Sequence, residues 1–533
     1  MPKKLPPEPG KAKYPEQAGV SSAELAAFVR DIEDSAIELH SVIVISNGKI
    51  AFERYREPYG PDLPHIMYSV SKSITAIAVG FAVEEGLLSL ESKVIDFFPS
   101  YRPKKPDERL ESMTVRHLLT MTAGKDIPLS SDKAKVRWLE EFFTAPWCAA
   151  PGEEWRYISE NQYILSAIVF RVTGMTMTDY LMPRLFEPLG ITRRPFWEKS
   201  ADGLEAGGWG IYLTTREMAK IMLCCLQGGK YGGRRVIPRG WAAEMVKKQE
   251  DNARHRDDEP DTNAGYGYCF WRNAVEDSYR ADGMYSQFGI VFEKLGAVVC
   301  VTGCEMNERK TRECIWRHFP AAFIEPSATE PAAHTAVEQF KPLEELPASA
   351  HSVLEKKIGG RLIKIEAPKL LNTAGYAISM VPLPVLYMSH DRAGNIDKVI
   401  FTFEGDECTL SWSEGKYRNT VRCGMDGKAR RSRVALAGFT FTASCTACWV
   451  DENTLAVWFR PLEAICQRRL RFVFCGGKVR MIPETFPSAE SMMDYVSERV
   501  KIYINSPAVV KAGEAAAKGA AKIVEPVHRG VLV

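Results

Sequence analysis

The spacing of apolar positions changes several times along the first half of the chain, and each change marks an element. Residues 41–46 form an apolar run, Asn47-Gly48 interrupts it, and residues 49–56 follow as a second short strand. This is the pattern of a β-hairpin whose Asn-Gly pair supplies the positive φ angles of a tight turn. From about Ser69 to Glu85 the period is helical, with Ile74, Ile77, Ala78, Phe81 and Ala82 on one face and Gly86 as a stop. That segment is apolar on most sides, which predicts a helix buried in its domain. Further helices are predicted at residues 115–120, 161–172 and 216–227, and strands at 266–272, 287–292 and 297–302. The last two strands are joined by the loop Glu293-Lys294-Leu295-Gly296. Strands at both ends with helices between them predict an α+β domain in which the terminal strands share one antiparallel sheet flanked by helices.

The pattern shifts near residue 325. Residues 326–350 are rich in Pro, Ala, Glu and Ser without a period, and read as a linker after a first domain at 1–325. Residues 351–505 carry short alternating runs at 398–403, 407–412, 439–443, 454–460 and 469–475, which predict a β-rich C-terminal domain, a barrel or a sandwich. The Ala- and Lys-rich residues 506–533 read as a tail, helical or loose.

Composition narrows the class. A chain of 533 residues exceeds one ordinary core, and 45% hydrophobic with 26% charged residues is a globular composition. A formal net charge of +2 gives no global field for nucleic acid or an anionic membrane, and the run Lys428-Ala429-Arg430-Arg431 reads as a solvated loop. No apolar segment follows the Lys- and Pro-containing start, and residues 74–83 are too few to span a bilayer. With no export signal, the thirteen scattered cysteines read as reduced thiols of a cytoplasmic protein, with no metal or cofactor expected. Cys445-Thr446-Ala447-Cys448 lacks a second pair and reads as buried cysteine in a strand.

Three short motifs carry candidate chemistry. The first is Ser69-Val70-Ser71-Lys72. A serine hydroxyl needs a base to become a nucleophile at neutral pH, and residues three apart on a helix share a face, which sets Lys72 beside Ser69. A serine at the helix start also meets free N–H groups that favour an oxyanion. The second is Tyr157-Ile158-Ser159, after the turn Pro151-Gly152 and before an amphipathic helix. A tyrosine acts as a general base when a neighbouring cation lowers its pKa, and Lys72 is the available cation. Ser159-Glu160-Asn161-Gln162 also fits a capping box. The third is Gly283-Met284-Tyr285-Ser286-Gln287, at the entry to a strand that can offer a backbone N–H to a substrate carbonyl.

In order along residues 20–325, these elements resemble the serine β-lactamase, penicillin-binding protein and esterase superfamily. The likeness is greatest to its class C-like branch, with family VIII-type carboxylesterases and aminohexanoate-dimer hydrolases. The resemblance rests on Tyr68-Ser69-Val70-Ser71-Lys72-Ser73, Glu85-Gly86-Leu87-Leu88-Ser89-Leu90, and Thr114 to Gly124 with its His117-Leu118-Leu119-Thr120-Met121-Thr122 centre. Pro151-Gly152, Tyr157, Gly207-Gly208-Trp209-Gly210 and Leu213-Thr214-Thr215 extend it. It implies a β-lactamase/transpeptidase-like fold and a Ser69/Lys72/Tyr157 catalytic centre. It also implies an oxyanion hole from the N–H groups of Ser69 and Ser286, with Ser159, Tyr285 and Gln287 on the substrate side. Two departures stand out. Tyr157-Ile158-Ser159 has a hydroxyl where the family carries an Asn amide, and Met284-Tyr285-Ser286 replaces the Lys/His-Thr-Gly motif, so the cation that grips a lactam carboxylate is missing. The expected activity is therefore hydrolysis of a small ester or amide through an acyl-enzyme, with Lys72 or Tyr157 as formal base. The alternatives are β-lactamase or D-amino-acid peptidase activity, an acylated sensor without turnover, and a binding scaffold. No nucleic-acid or membrane partner is expected, and an oligomer is possible.

Overall fold

A computed structural model describes residues 8–533 apart from 106, 128–135, 253–258, 328–336, 338, 367–378, 381–388, 392–393, 489 and 492–526. It divides into two units, Met1–Lys341 and Pro342–Val533. The division falls inside the segment read as a linker. Phe340 still packs in the core of the first unit, whereas the Leu346 N–H bonds to Thr446 of the second.

In the first unit the predicted hairpin is β1 (Leu39–Ser46) and β2 (Lys49–Tyr55), with Asn47 and Gly48 at φ +50° and +73° in the turn. The other strands of this sheet come from the far end of the unit: β3 (Trp271–Arg272), β4 (Ser278–Gly283), β5 (Gln287–Phe292) and β6 (Ala297–Gly303). Their order is β2-β1-β6-β5-β4-β3, so the N-terminal hairpin joins the C-terminal strands through β1 and β6. That pair is antiparallel, with Val42 opposite Val301 and Val44 opposite Val299. Every residue of β1 is buried, because helices cover both faces of the sheet; hence its unbroken apolar run.

One face carries α1 (Ser22–Asp34), whose Leu25, Phe28, Val29 and Ile32 meet Val42, Val44, Ile290 and Val299 of the sheet. The other carries α5 (Thr215–Leu226), packed on β1, β5 and β6. Between them in sequence lie α2 (Val70–Glu84), α3 (Val115–Leu119) and α4 (Glu160–Thr173), and α6 (Glu308–His318) closes the unit against α1. The strand predicted over 266–272 shrinks to two residues, because Cys269 sits at φ +61° and turns the chain. The pattern reading placed neither α1, β4 nor α6.

The second unit is an antiparallel sheet of β7 (Leu362–Glu366), β8 (Ile396–Glu404), β9 (Glu407–Glu414), β10 (Tyr417–Gly424), β11 (Arg430–Leu436), β12 (Phe439–Asp451), β13 (Thr454–Pro461), β14 (Gln467–Cys475), β15 (Lys478–Phe486) and β16 (His528–Leu532). Their order is β10-β9-β8-β7-β16-β15-β14-β13-β12-β11, and a bridge from Gly424 to Thr446 brings β10 back to β12, making a barrel. The strands expected in this region are present. Cys445 and Cys448 lie buried within the long β12, as their pattern predicts. Two details differ. Arg430 and Arg431 begin a strand, where Arg430 pairs with Asp426 at 3.1 Å, so only part of the basic run is loop. The last residues are not a tail: β16 pairs with both β7 and β15. Five residues at a chain end are too short a pattern to read without their partner strands. Residues 506–526 of the expected tail lie outside the described residues.

Candidate active site

Helix α2 passes through the centre of the first unit, and from His65 to Ala82 only Ser69 is not buried. The helix starts abruptly. Tyr68 is at φ +43°, and Ser69 already has helical angles without capping through its side chain. Its oxygen instead meets Lys72, one turn on, whose Nζ donates to Ser69 Oγ at 2.7 Å. The same Nζ donates to Ser159 Oγ at 2.9 Å and to the Gly208 carbonyl at 2.7 Å. Lys72 is 1% exposed, and a buried ammonium needs such partners; three acceptors match its three hydrogens. The Tyr157 ring closes the remaining side, its centroid 4.8 Å from Nζ.

Each partner is delivered by a separate piece of chain. The segment before Tyr157 is tied to the end of α3 by Arg156 N–H to Met121 O at 2.7 Å and Gly152 N–H to Thr122 O at 2.8 Å. Tyr157 then stands in an aromatic bank with Trp271 at 5.4 Å and Trp155 at 6.2 Å between ring centroids. Ser159 begins α4, but the expected capping box does not form: its side chain makes no cap hydrogen bond and holds Lys72 instead. Gly207 and Gly208 press against this helix start. A Cβ at Gly208 would sit 2.3 Å from Ser159 O, and one at Gly207 2.3 Å from Gln162 O. Only glycine brings the Gly208 carbonyl this close to Lys72.

The neighbouring hydroxyls of α2 are committed elsewhere. Ser71 Oγ accepts the Ile211 N–H at 3.2 Å, and Ser73 Oγ donates to Cys269 O at 2.6 Å. The Cys269 thiol, pushed up to about 12 by burial despite the opposing charge of Lys72, is protonated at neutral pH.

The β4–β5 turn flanks the start of α2. A Cβ at Gly283 would lie 2.3 Å from Met67 O, and the Tyr285 ring meets Tyr68 edge-on at 5.2 Å. Tyr285, Ser286 and Gln287 are all buried, and only Met284 of the turn reaches solvent. Ser286 Oγ donates to Thr311 Oγ1 at 2.8 Å, and the Gln287 amide donates to the carbonyls of Met284, Tyr285 and Gly303. These side chains hold the turn, so what Ser286 has left for a substrate is its backbone. Lys125, the other cation to consider for a substrate carboxylate, is buried against Trp147 and donates to Ala145 O at 2.9 Å. Burial lowers it to about 8.

Among the described residues, Asp31, Cys314 and His318 have metal-ligand-type atoms within 4.8 Å of one another. The Asp31 oxygen that faces them already takes Arg317 Nε at 2.9 Å and Nη2 at 2.8 Å, an ion-pair network joining α1 to α6.

A family model described as Beta-lactamase matches residues 25–311, just over half of the chain. The chain belongs to the Beta-lactamase family. The matched span runs from α1 into α6 and takes in Ser69, Lys72, Tyr157, Ser159, Gly208 and Ser286. This Beta-lactamase family chain is 25% identical over 239 residues to the 6-aminohexanoate-dimer hydrolase of Paenarthrobacter ureafaciens, covering 42% of this chain and 61% of that one. It is 27% identical over 208 residues to esterase EstB of Burkholderia gladioli, covering 33% and 53%. The matches thus take in about three fifths or less of these relatives' length. A solved family VIII carboxylesterase is similar over 58% of this chain and 98% of that one, at 18% identity and a TM-score of 0.46. Among the described residues no helix is long and apolar enough to cross a membrane.

Sequence reasoning missed two parts of this arrangement. The Gly208 carbonyl is backbone and has no side-chain signature, although its Gly-Gly motif was visible. Glu308 and Thr311, which hold the β4–β5 turn, lie in an unassigned helix and carried no signal.

Proposed function

We propose that the chain is a serine hydrolase that cleaves a small, uncharged carboxylic ester or amide through an acyl-enzyme on Ser69. The observation that carries this reading is the 2.7 Å bond from the buried Lys72 ammonium to Ser69, the partly exposed hydroxyl at the start of α2. The curated relatives named as a hydrolase and an esterase support it.

Ser69 Oγ attacks the carbonyl carbon, and the N–H groups of Ser69 and Ser286 receive the developing oxyanion. The three acceptors around Lys72 suit a cation that keeps its hydrogens. This gives the proton-accepting role to the Tyr157 oxygen, with Lys72 stabilising the negative charge beside it. The pair then returns the proton to the leaving alkoxide or amine, and water, deprotonated by the same pair, releases the acid.

The substrate class follows from the β4–β5 turn and Lys125. A lactam carboxylate is gripped by a charge-assisted hydrogen bond worth roughly 1.5–3 kcal/mol. Met284 and Tyr285 carry no charge, and Lys125 is engaged with backbone carbonyls. A short-chain nitrophenyl ester should therefore have a larger kcat/KM than a chromogenic cephalosporin, and Ser69→Ala should lose both turnover and fluorophosphonate labelling. Faster cephalosporin cleavage would reject the substrate class, and acylation surviving in Ser69→Ala would reject the mechanism.

A further inference from the structure

Tyr285 and Ser286 are consecutive non-glycine residues in the left-handed region, at φ +62° and +69°. Side chains at such angles cost free energy that the surroundings must offset, and consecutive cases need an outside hold. The hold comes from α6. Glu308, in the first turn of that helix, accepts the Tyr285 N–H at Oε1, 2.8 Å away. Thr311 Oγ1, one turn on, accepts the Ser286 hydroxyl at 2.8 Å. Arg312 Nη1 lies 3.8 Å from the other Glu308 oxygen and balances its charge. Glu308, Thr311 and Arg312 are spaced by three and four residues, so they share one helix face, and all three are buried. Among the described residues the Ser286 N–H has no hydrogen-bond partner, whereas the N–H before it is fixed on Glu308.

We infer that Glu308 and Thr311 are positioning residues, which lock the Met284-Tyr285-Ser286 turn so that the Ser286 N–H points outward to receive the substrate oxyanion. The inference rests on the hydrolase reading above. In that reading the turn lacks the family's Lys/His-Thr-Gly side chains and contributes through its backbone alone. A backbone donor is only as good as its aim: a shift of about 1 Å in an aligned group can cost on the order of 100-fold in rate. What Glu308 supplies to the turn is an acceptor oxygen, and Glu308→Gln keeps an acceptor while removing the charge.

The test compares wild type with Glu308→Ala, Glu308→Gln, Thr311→Val and Thr311→Ser on a short-chain nitrophenyl ester. Affinity for a boronic acid that mimics the tetrahedral state is measured alongside. Glu308→Ala should lower kcat roughly 10- to 100-fold with KM little changed, and weaken boronate binding in parallel. Glu308→Gln and Thr311→Ser should restore most of the loss, and Thr311→Val should fall between. A structural role alone would lower the amount of folded enzyme without this split between kcat and KM. Folded Glu308→Ala with wild-type kcat and boronate affinity overturns the inference and leaves the hydrolase reading standing. If Glu308→Ala does not fold, Thr311→Val decides in its place by the same criterion. A wild type that neither labels nor turns over removes the hydrolase reading, and this inference with it.

Discussion

Lys72 is the residue on which most of the site converges. A charged group at 1% exposure persists only if its hydrogens are met, and Ser69, Ser159 and Gly208 meet all three. Lys72 and Tyr157 should consequently behave as one unit. Tyr157→Phe and Lys72→Met should each remove most of the ester turnover, and the double variant should lose little more; additive losses on log kcat would show independent roles. His65 makes a different prediction. It is fully buried, four residues before Ser69, with Nε2 2.8 Å from His40 Nδ1 and Nδ1 2.9 Å from Ile66 O. Burial, reinforced by the His40 ring, pushes it down from 6.5 to about 3. Between those values the unfolded chain binds a proton that the folded chain refuses, so unfolding is favoured as the pH falls. The contribution is fully present above about pH 6.5 and declines below it, by about 1.4 kcal/mol per pH unit for one proton. Denaturant midpoints of wild type and His65→Gln should diverge least in mild acid, with the wild type losing its lead as acid is added. A parallel pH dependence in the two would show that His65 does not contribute.

At the scale of elements, α2 explains why some positions tolerate no change even away from the chemistry. Trp241 lies across the helix, its indole N–H donating to Ala76 O at 3.0 Å, and its ring fills the space above Gly80. A Cβ at Gly80 would sit 2.2 Å from the ring. Gly→Ala in a helix interior normally gains about 1 kcal/mol in propensity. Overpacking here should reverse the sign and destabilise by roughly 1–3 kcal/mol, seen as a lowered Tm for Gly80→Ala; a raised Tm would show that the indole moves aside. Elements also differ in how openly they announce themselves. The β1–β2 hairpin and α2 were readable because an Asn-Gly turn and a long apolar period are local signals. Helix α6 was not, because the face it buries carries Glu308, Thr311 and Arg312 beside Cys314 and Ile315, which leaves no apolar period to read. Ser159 shows a local signal overridden: its capping-box spacing is genuine, but a buried ammonium is the stronger claim on its oxygen.

For the whole molecule, the division at Lys341 and Pro342 bears on whether the barrel unit takes part in chemistry. Ser69, Tyr157 and Ser159, the side chains placed around Lys72, belong to the first unit, and that unit's core includes Phe340. A chain ending at Lys341 should therefore fold and retain fluorophosphonate labelling at Ser69. A folded truncation that does not label would mean the second unit completes the site. The α+β class, the shared sheet of N- and C-terminal strands and the Ser69-to-Lys72 spacing were all determined by the sequence alone, because helical period, strand alternation and turn chemistry act over a few residues. Tertiary structure alone decided that Ser159 and the Gly208 carbonyl, 87 and 136 residues from Lys72, would take its other two hydrogens. It alone turned Ser286 and Gln287 inward, set α6 beneath the β4–β5 turn, and drew His528–Leu532 into the barrel. Such choices depend on which buried donors and acceptors meet once the helices and sheet have packed, and a pairing across a hundred residues leaves no period in the chain.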